Sequence, residues 1–308
     1  MIVRLCLYLS VIACLTACEG KGEGGENQLG VASQTPTVVA VNYPLTYMAE
    51  QIAGDLLNVE FPVNADVDPA YWQPDVTQVV AVQQAELIFL NGAAYAQWIE
   101  KVSLPEEKLI NTSAGFSDLL LPLERVATHT HGIAGEHTHA DLAFTTWLDL
   151  QQAKLQAMAI YDALVGLLPE REAQLTANLA VLDQDFESLD QRWLVIGPRL
   201  AAEGVIFSHP VYQYWQRRYQ VAGSSLHWEP DVEPEASEWR ALDQLLQQKT
   251  IRWMVWEAEP LPVLRTELAA RGIESLILPP VANRPTAGDM MTILNDATRE
   301  LETKLQLY

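Results

Sequence analysis

From residue 37 onward the chain alternates short apolar runs with stretches whose apolar residues recur every three or four positions. The short runs predict strands over 37–42, 58–63, 86–90 and 108–111, separated by helices over 44–54, 74–85 and 93–101. The same rhythm returns further on, with strands over 204–207, 225–228, 251–256 and 273–278 and helices over 210–219, 235–248, 261–271 and 287–305. Strands alternating with helices of this length form parallel βαβ units. The expected fold class is therefore α/β, with two similar parallel-sheet lobes, although no residue-level repeat is visible.

Between the two sets lie helical patterns over 146–168 and from Pro169 to Trp193. In the second, Leu175, Leu179, Leu182, Phe186, Leu189 and Trp193 form one apolar stripe along a long helix. Pro169 suits its first turn, where a missing N–H costs nothing. The expected organisation is an N-terminal lobe over 36–168, a stiff linking helix over 169–196 and a C-terminal lobe over 197–308.

The start of the chain carries a different pattern. Arg4 precedes an apolar stretch over 5–17 that is too short to span a bilayer and suits the core of a signal peptide. It ends Leu15-Thr16-Ala17-Cys18, which resembles the lipobox of bacterial lipoproteins. Cleavage after residue 17 would leave Cys18 as the lipidation site, and several acyl chains there would anchor the protein stably. Residues 18–35 are rich in Gly, Glu and Ser and read as a flexible tether. The expected location is the periplasm or cell envelope, on a lipid anchor.

Cysteine usage narrows the chemistry. Cys6 and Cys14 lie in the leader and Cys18 is the lipidation site, so the folded part is expected to hold no disulfide and no thiolate ligand. With 49% apolar residues, 308 residues can bury more than one ordinary core. A formal charge of -21 argues against nucleic acid or an anionic lipid surface as a partner. Gly-x-Ser-x-Gly, His-Glu-x-x-His and P-loop patterns are absent, so an enzyme is not expected.

Four of the six histidines fall within eleven residues: His129, His131, His137 and His139, inside a loop over 128–140. Such a tract is a metal-binding composition. His209 follows a predicted strand, where α/β proteins bind ligands. His227 and Glu257 also stand at predicted strand ends, and with Glu229 they could converge on a cation. Glu229 and Glu257 read equally well as solvated rim carboxylates. The tryptophans fall on apolar positions and are expected to pack the core.

Several segments together carry a family resemblance. They are Asp66-Val67-Asp68-Pro69 with Gln73-Pro74-Asp75, the run over 85–92 with Trp98 and Lys101, and Trp147-Leu148-Asp149 after the His-rich stretch. Ser208-His209-Pro210-Val211-Tyr212 with Arg218-Tyr219 completes the set. The chain resembles the ZnuA/TroA-like metal-binding lipoproteins, the cluster A-I solute-binding proteins, over about 37–308. The resemblance implies a non-enzymatic, monomeric binding protein that delivers zinc, less readily manganese, to an ABC permease and its ATPase. It also implies ligand positions that here hold Ala70, Thr145, His209 and Pro279, so one of the usual ligands is kept. Two repairs stay open: His137 or His139 could reach the cleft, or His209 could combine with His227 and Glu257. The alternative is an envelope lipoprotein that is metal-independent or binds another ligand.

Overall fold

The computed structural model describes residues 35–123 and 142–307. Cys18, the leader and the clustered histidines 129, 131, 137 and 139 lie outside the described residues. The first half contains β1 (Thr37–Ala40), α1 (Tyr43–Ala53), β2 (Asn58–Glu60), α2 (Val76–Gln84), β3 (Leu87–Leu90) and β4 (Leu109–Asn111). Its strands pair in parallel in the order β2-β1-β3-β4. Two helices follow, α3 (Leu150–Leu167) and α4 (Glu172–Glu203). The second half contains β5 (Val205–Phe207), α5 (Gln213–Tyr219), β6 (Gly223–Ser225), α6 (Ala236–Gln248), β7 (Trp253–Trp256), α7 (Pro262–Ala270), β8 (Glu274–Ile277) and α8 (Met290–Lys304). Its strands are again parallel, in the order β6-β5-β7-β8. The two halves thus share one topology, and in each the order reverses between the first and third strands.

Local chemistry sets the helix starts. The Asn42 side chain accepts from the Leu45 N–H at the start of α1, where Pro44 stands in the first turn. Asp75 and Gln78 form a reciprocal capping box on α2, and Asp149 accepts from Gln151 and Gln152 N–H groups on α3. Every residue of β7 is buried, as expected of a strand covered on both faces of a parallel sheet.

Helix α4 is packed by α1 and α3 on one side and α5 and α8 on the other. Its predicted stripe is buried from Leu175 to Trp193 and continues through Ile196 and Leu200. The helix therefore runs past the expected end at 196, to Glu203, and keeps Pro198 inside it. Apolar packing along the last two turns outweighs the hydrogen bond that the proline cannot make. Side-chain bonds fasten both flanks. Asn178 Nδ2 donates to the Ile52 carbonyl at 2.9 Å, and Trp193 Nε1 to Thr298 Oγ1 at 2.8 Å.

Two predicted elements are corrected. Residues 93–101 form no continuous helix, because Ala93, Ala94 and Ala96 take left-handed backbone and only a 3-10 turn over Gln97–Lys101 remains. The burial of Trp98 edge-on against Trp72, with ring centres 5.3 Å apart, overrides helix propensity there. The strand expected over 225–228 stops at Ser225, since His227 has φ +61° and leaves the pleat.

Close approach of α4 to α5 gives a paired stability test. A Cβ on Gly197 would lie 1.9 Å from the Tyr219 carbonyl oxygen, whereas one on Gly166 in α3 meets nothing within 4 Å. Gly197→Ala is expected to cost about 1–3 kcal/mol through overpacking. Gly166→Ala should instead stabilise by about 0.5–1 kcal/mol, the ordinary helix preference for alanine. Urea unfolding of both variants checks the opposite signs.

Candidate metal centre

The carboxyl ends of the second sheet gather the candidate ligands. The Ser208 N–H donates to the Val255 carbonyl at 2.8 Å, extending the β5–β7 ladder and setting His209 beside the residue that follows β7. That residue is Glu257, whose Oε1 lies 3.5 Å from His209 Nδ1. On the other side, Leu226 and Trp228 N–H groups donate to the Phe207 and Ser208 carbonyls at 2.9 and 2.8 Å. These bonds lay the segment after β6 against His209 and bring Glu229 Oε1 to 3.6 Å from the same imidazole nitrogen. The site straddles the β5/β7 boundary where strand order reverses, the place where open parallel sheets bind ligands.

The spacing fits a shared cation. Zinc bonds of about 2.1 Å to nitrogen and oxygen in a tetrahedron place neighbouring donors about 3.4 Å apart. One donor atom each from His209, Glu229 and Glu257 lie within 4.8 Å of one another. The His227 ring stands near, its centre 5.7 Å from that of His209. Glu257 is the most sheltered carboxylate, at 23% side-chain exposure against 51% for Glu229. Burial, then the negative charges of Glu229 and Asp68, push its carboxyl up to about 7. A divalent cation relieves that crowding.

The structure therefore groups His209, Glu229 and Glu257, with the His227 ring near, the four residues that the sequence offered for convergence. At the remaining positions marked by the resemblance, Ala70 is a buried methyl and Pro279 offers no side-chain donor. Thr145 commits its hydroxyl to the Val211 carbonyl at 2.5 Å. The matching strand ends of the first sheet hold neutral amides instead. Asn42 Nδ2 donates to Asn91 Oδ1 at 3.1 Å, Asn91 Nδ2 to the Phe144 carbonyl at 2.9 Å, and Gln156 Nε2 to Thr112 Oγ1 at 3.0 Å. The sequence signals this buried network only by an asparagine immediately after each of two apolar runs.

Among solved structures, the Zn(II)-bound ZnuA-like domain of Streptococcus pneumoniae AdcA superposes with a TM-score of 0.74 at 18% identity, over 87% of this chain and 98% of that one. A zinc-bound ZnuA deletion mutant superposes with a TM-score of 0.66 at 26% identity, over 87% and 97%. In sequence, zinc-binding lipoprotein AdcA of Streptococcus pneumoniae strain R6 is 26% identical over 252 residues, 79% of this chain and 50% of its own length. The chain thus spans about half the length of the AdcA relatives it matches. The manganese ABC transporter substrate-binding lipoprotein PsaA of Streptococcus anginosus is 25% identical over 244 residues, 76% of this chain and 73% of its own. The family model for ZnuA, the periplasmic zinc-uptake complex component A, matches residues 38–304, nearly all of the two-sheet fold, and the chain belongs to that family.

Proposed function

We propose that this chain captures a divalent transition-metal ion, zinc, at the His209 cluster and hands it to an ABC permease driven by its ATPase. It acts by binding and release rather than by turnover, as a monomer tethered to the membrane through a lipid on Cys18 in the cell envelope. The observation that carries the reading is one imidazole and two carboxylates converging at 3.5 and 3.6 Å on adjacent strand ends of a ZnuA-family fold. Zinc is preferred over manganese because mixed nitrogen and oxygen sites follow the Irving–Williams order, in which Zn2+ binds above Mn2+. The names of relatives span both metals, so the donor set supplies the choice. The expected division into a leader over 1–17, a tether over 18–35, two lobes and a linking helix is retained as part of this reading, and the histidines at 129, 131, 137 and 139 are assigned an auxiliary role in collecting the ion.

The test is calorimetric. Demetallated protein titrated with Zn2+ is expected to show a stoichiometric high-affinity phase and a raised melting temperature, with Mn2+ weaker in both measurements. Absence of stoichiometric binding by either metal would end the proposal.

A further inference from the structure

The geometry points to a metal site built by the second half alone, with His227 as its fourth ligand, so that the ion is captured without closure of one half on the other. This rests on the metal-capture reading above and adds both a ligand and a mode of binding to it.

The backbone is shaped for His227 to serve. Its φ of +61° is uncommon for a residue with a side chain, although histidine tolerates it better than most. Such a conformation persists only where its surroundings hold it. The bonds from Leu226 to Phe207 and from Trp228 to Ser208 do so on either side, and the left-handed residue between them carries the ring towards His209. Two imidazoles on one ion through bonds of about 2.1 Å place their ring centres roughly 5–6 Å apart. The observed separation is 5.7 Å, with the rings 76° from coplanar. His209, Glu229 and Glu257 form a three-donor group, and the His227 ring beside it would complete a tetrahedral set drawn from the segments after β5, β6 and β7 of a single sheet.

Among the described residues the first half adds no ligand to that group: its Asp68, whose charge reaches Glu257, accepts from the Ala70 N–H at 2.9 Å. Its corresponding strand ends, Asn42 and Asn91, are buried and bonded to each other. Direct hydrogen bonds join it to the second half. Thr145 Oγ1 donates to the Val211 carbonyl, Trp147 Nε1 to the Pro280 carbonyl at 2.7 Å, and Tyr214 Oη to the Ala143 carbonyl at 2.8 Å. From the other direction Asn283 Nδ2 donates to the Asn64 and Val67 carbonyls, each at 2.7 Å, and the Ala282 carbonyl accepts from the Tyr43 N–H at 3.0 Å. These direct bonds already hold the two halves against each other.

The full chain is titrated with Zn2+ as wild type, His227→Asn and Thr145→Ala. Asparagine keeps the tolerance for left-handed backbone and removes the imidazole. The expected results are a loss of at least about 10-fold in affinity for His227→Asn, since even outer-shell changes reach that size, and no comparable loss for Thr145→Ala, whose hydroxyl is bonded to the Val211 carbonyl. Small-angle scattering of the wild type should give the same radius of gyration with and without Zn2+. If His227→Asn does not fold, anomalous scattering from a zinc-soaked wild-type crystal decides, with a peak expected at bonding distance from both His209 and His227. Stoichiometric binding that is indifferent to His227, a zinc-dependent compaction, or a peak bonded by the first half would overturn this inference and leave the metal-capture reading standing. A wild type that binds no Zn2+ overturns both.

Discussion

His209→Ala is expected to lower Zn2+ affinity by more than about 100-fold, the upper end of the loss seen when only an outer-shell partner of a metal ligand is removed. His209 is the shared neighbour in the cluster, with Glu229 at 3.6 Å and Glu257 at 3.5 Å from one nitrogen. Removing it takes away the nitrogen donor that both carboxylates adjoin. Burial and the charges of Glu229 and Asp68 push the Glu257 carboxyl up to about 7, so at neutral pH proton and cation compete for it. The fold should survive, because the imidazole is 27% exposed at a strand end rather than in the core. Wild type at a free Zn2+ concentration 100 times Kd should therefore gain about 2.7 kcal/mol of stability over its metal-free form, whereas the variant should gain almost none. Isothermal titration gives the affinity and thermal unfolding with and without Zn2+ gives the linkage. An affinity within 3-fold of wild type, in a folded variant, would remove the cluster from consideration as the capture site.

The parts of this arrangement that the sequence revealed are those written in short-range periodicity. The runs that became β1, β3, β7 and β8 are apolar and bounded by turn residues, and the α4 stripe repeats every three or four residues over many turns. Residues 93–101 misled because the burial of Trp98 against Trp72, a contact between distant segments, decided the backbone there. For the site, His209, His227 and Glu257 were legible one at a time from their places after predicted strands. Their convergence was not, because it depends on strand order. β5 lies between β6 and β7, an arrangement made by crossovers that no local pattern encodes. Glu229 illustrates the same limit. It stands four residues past the end of β6 and faces His209 through the register fixed by the Leu226 and Trp228 N–H bonds.

Asp190→Ala should cost about 3 kcal/mol of stability, the lower part of the range for breaking a buried, hydrogen-bonded ion pair. Asp190 is a fully buried carboxylate set among Phe186, Leu189 and Trp193 on the apolar face of α4. It accepts from Arg218 at 2.6 and 3.1 Å, from Tyr219 Oη at 2.8 Å and from Gln151 Nε2 at 3.1 Å. Gln151 belongs to α3 and the other two donors to α5, so one carboxylate ties α4 to helices on both flanks. Truncation strands those donors, and it is the stranded groups rather than the lost attraction that set the cost. Arg218 keeps 29% side-chain exposure and can recover some hydration, which is why the upper end of about 5 kcal/mol is not reached. Asp190→Asn preserves shape and one acceptor oxygen and should lose roughly half as much, because bonds to a charged acceptor are about twice as strong as neutral ones. Replacing both partners, Asp190→Ala with Arg218→Met, should be less damaging than Asp190→Ala alone, since no buried charge is then left unpaired. Urea midpoints at an unchanged slope measure all three. A loss below about 1 kcal/mol for Asp190→Ala would mean that the carboxylate sits in the stripe without holding the helices together, because that is the scale of an exposed pair.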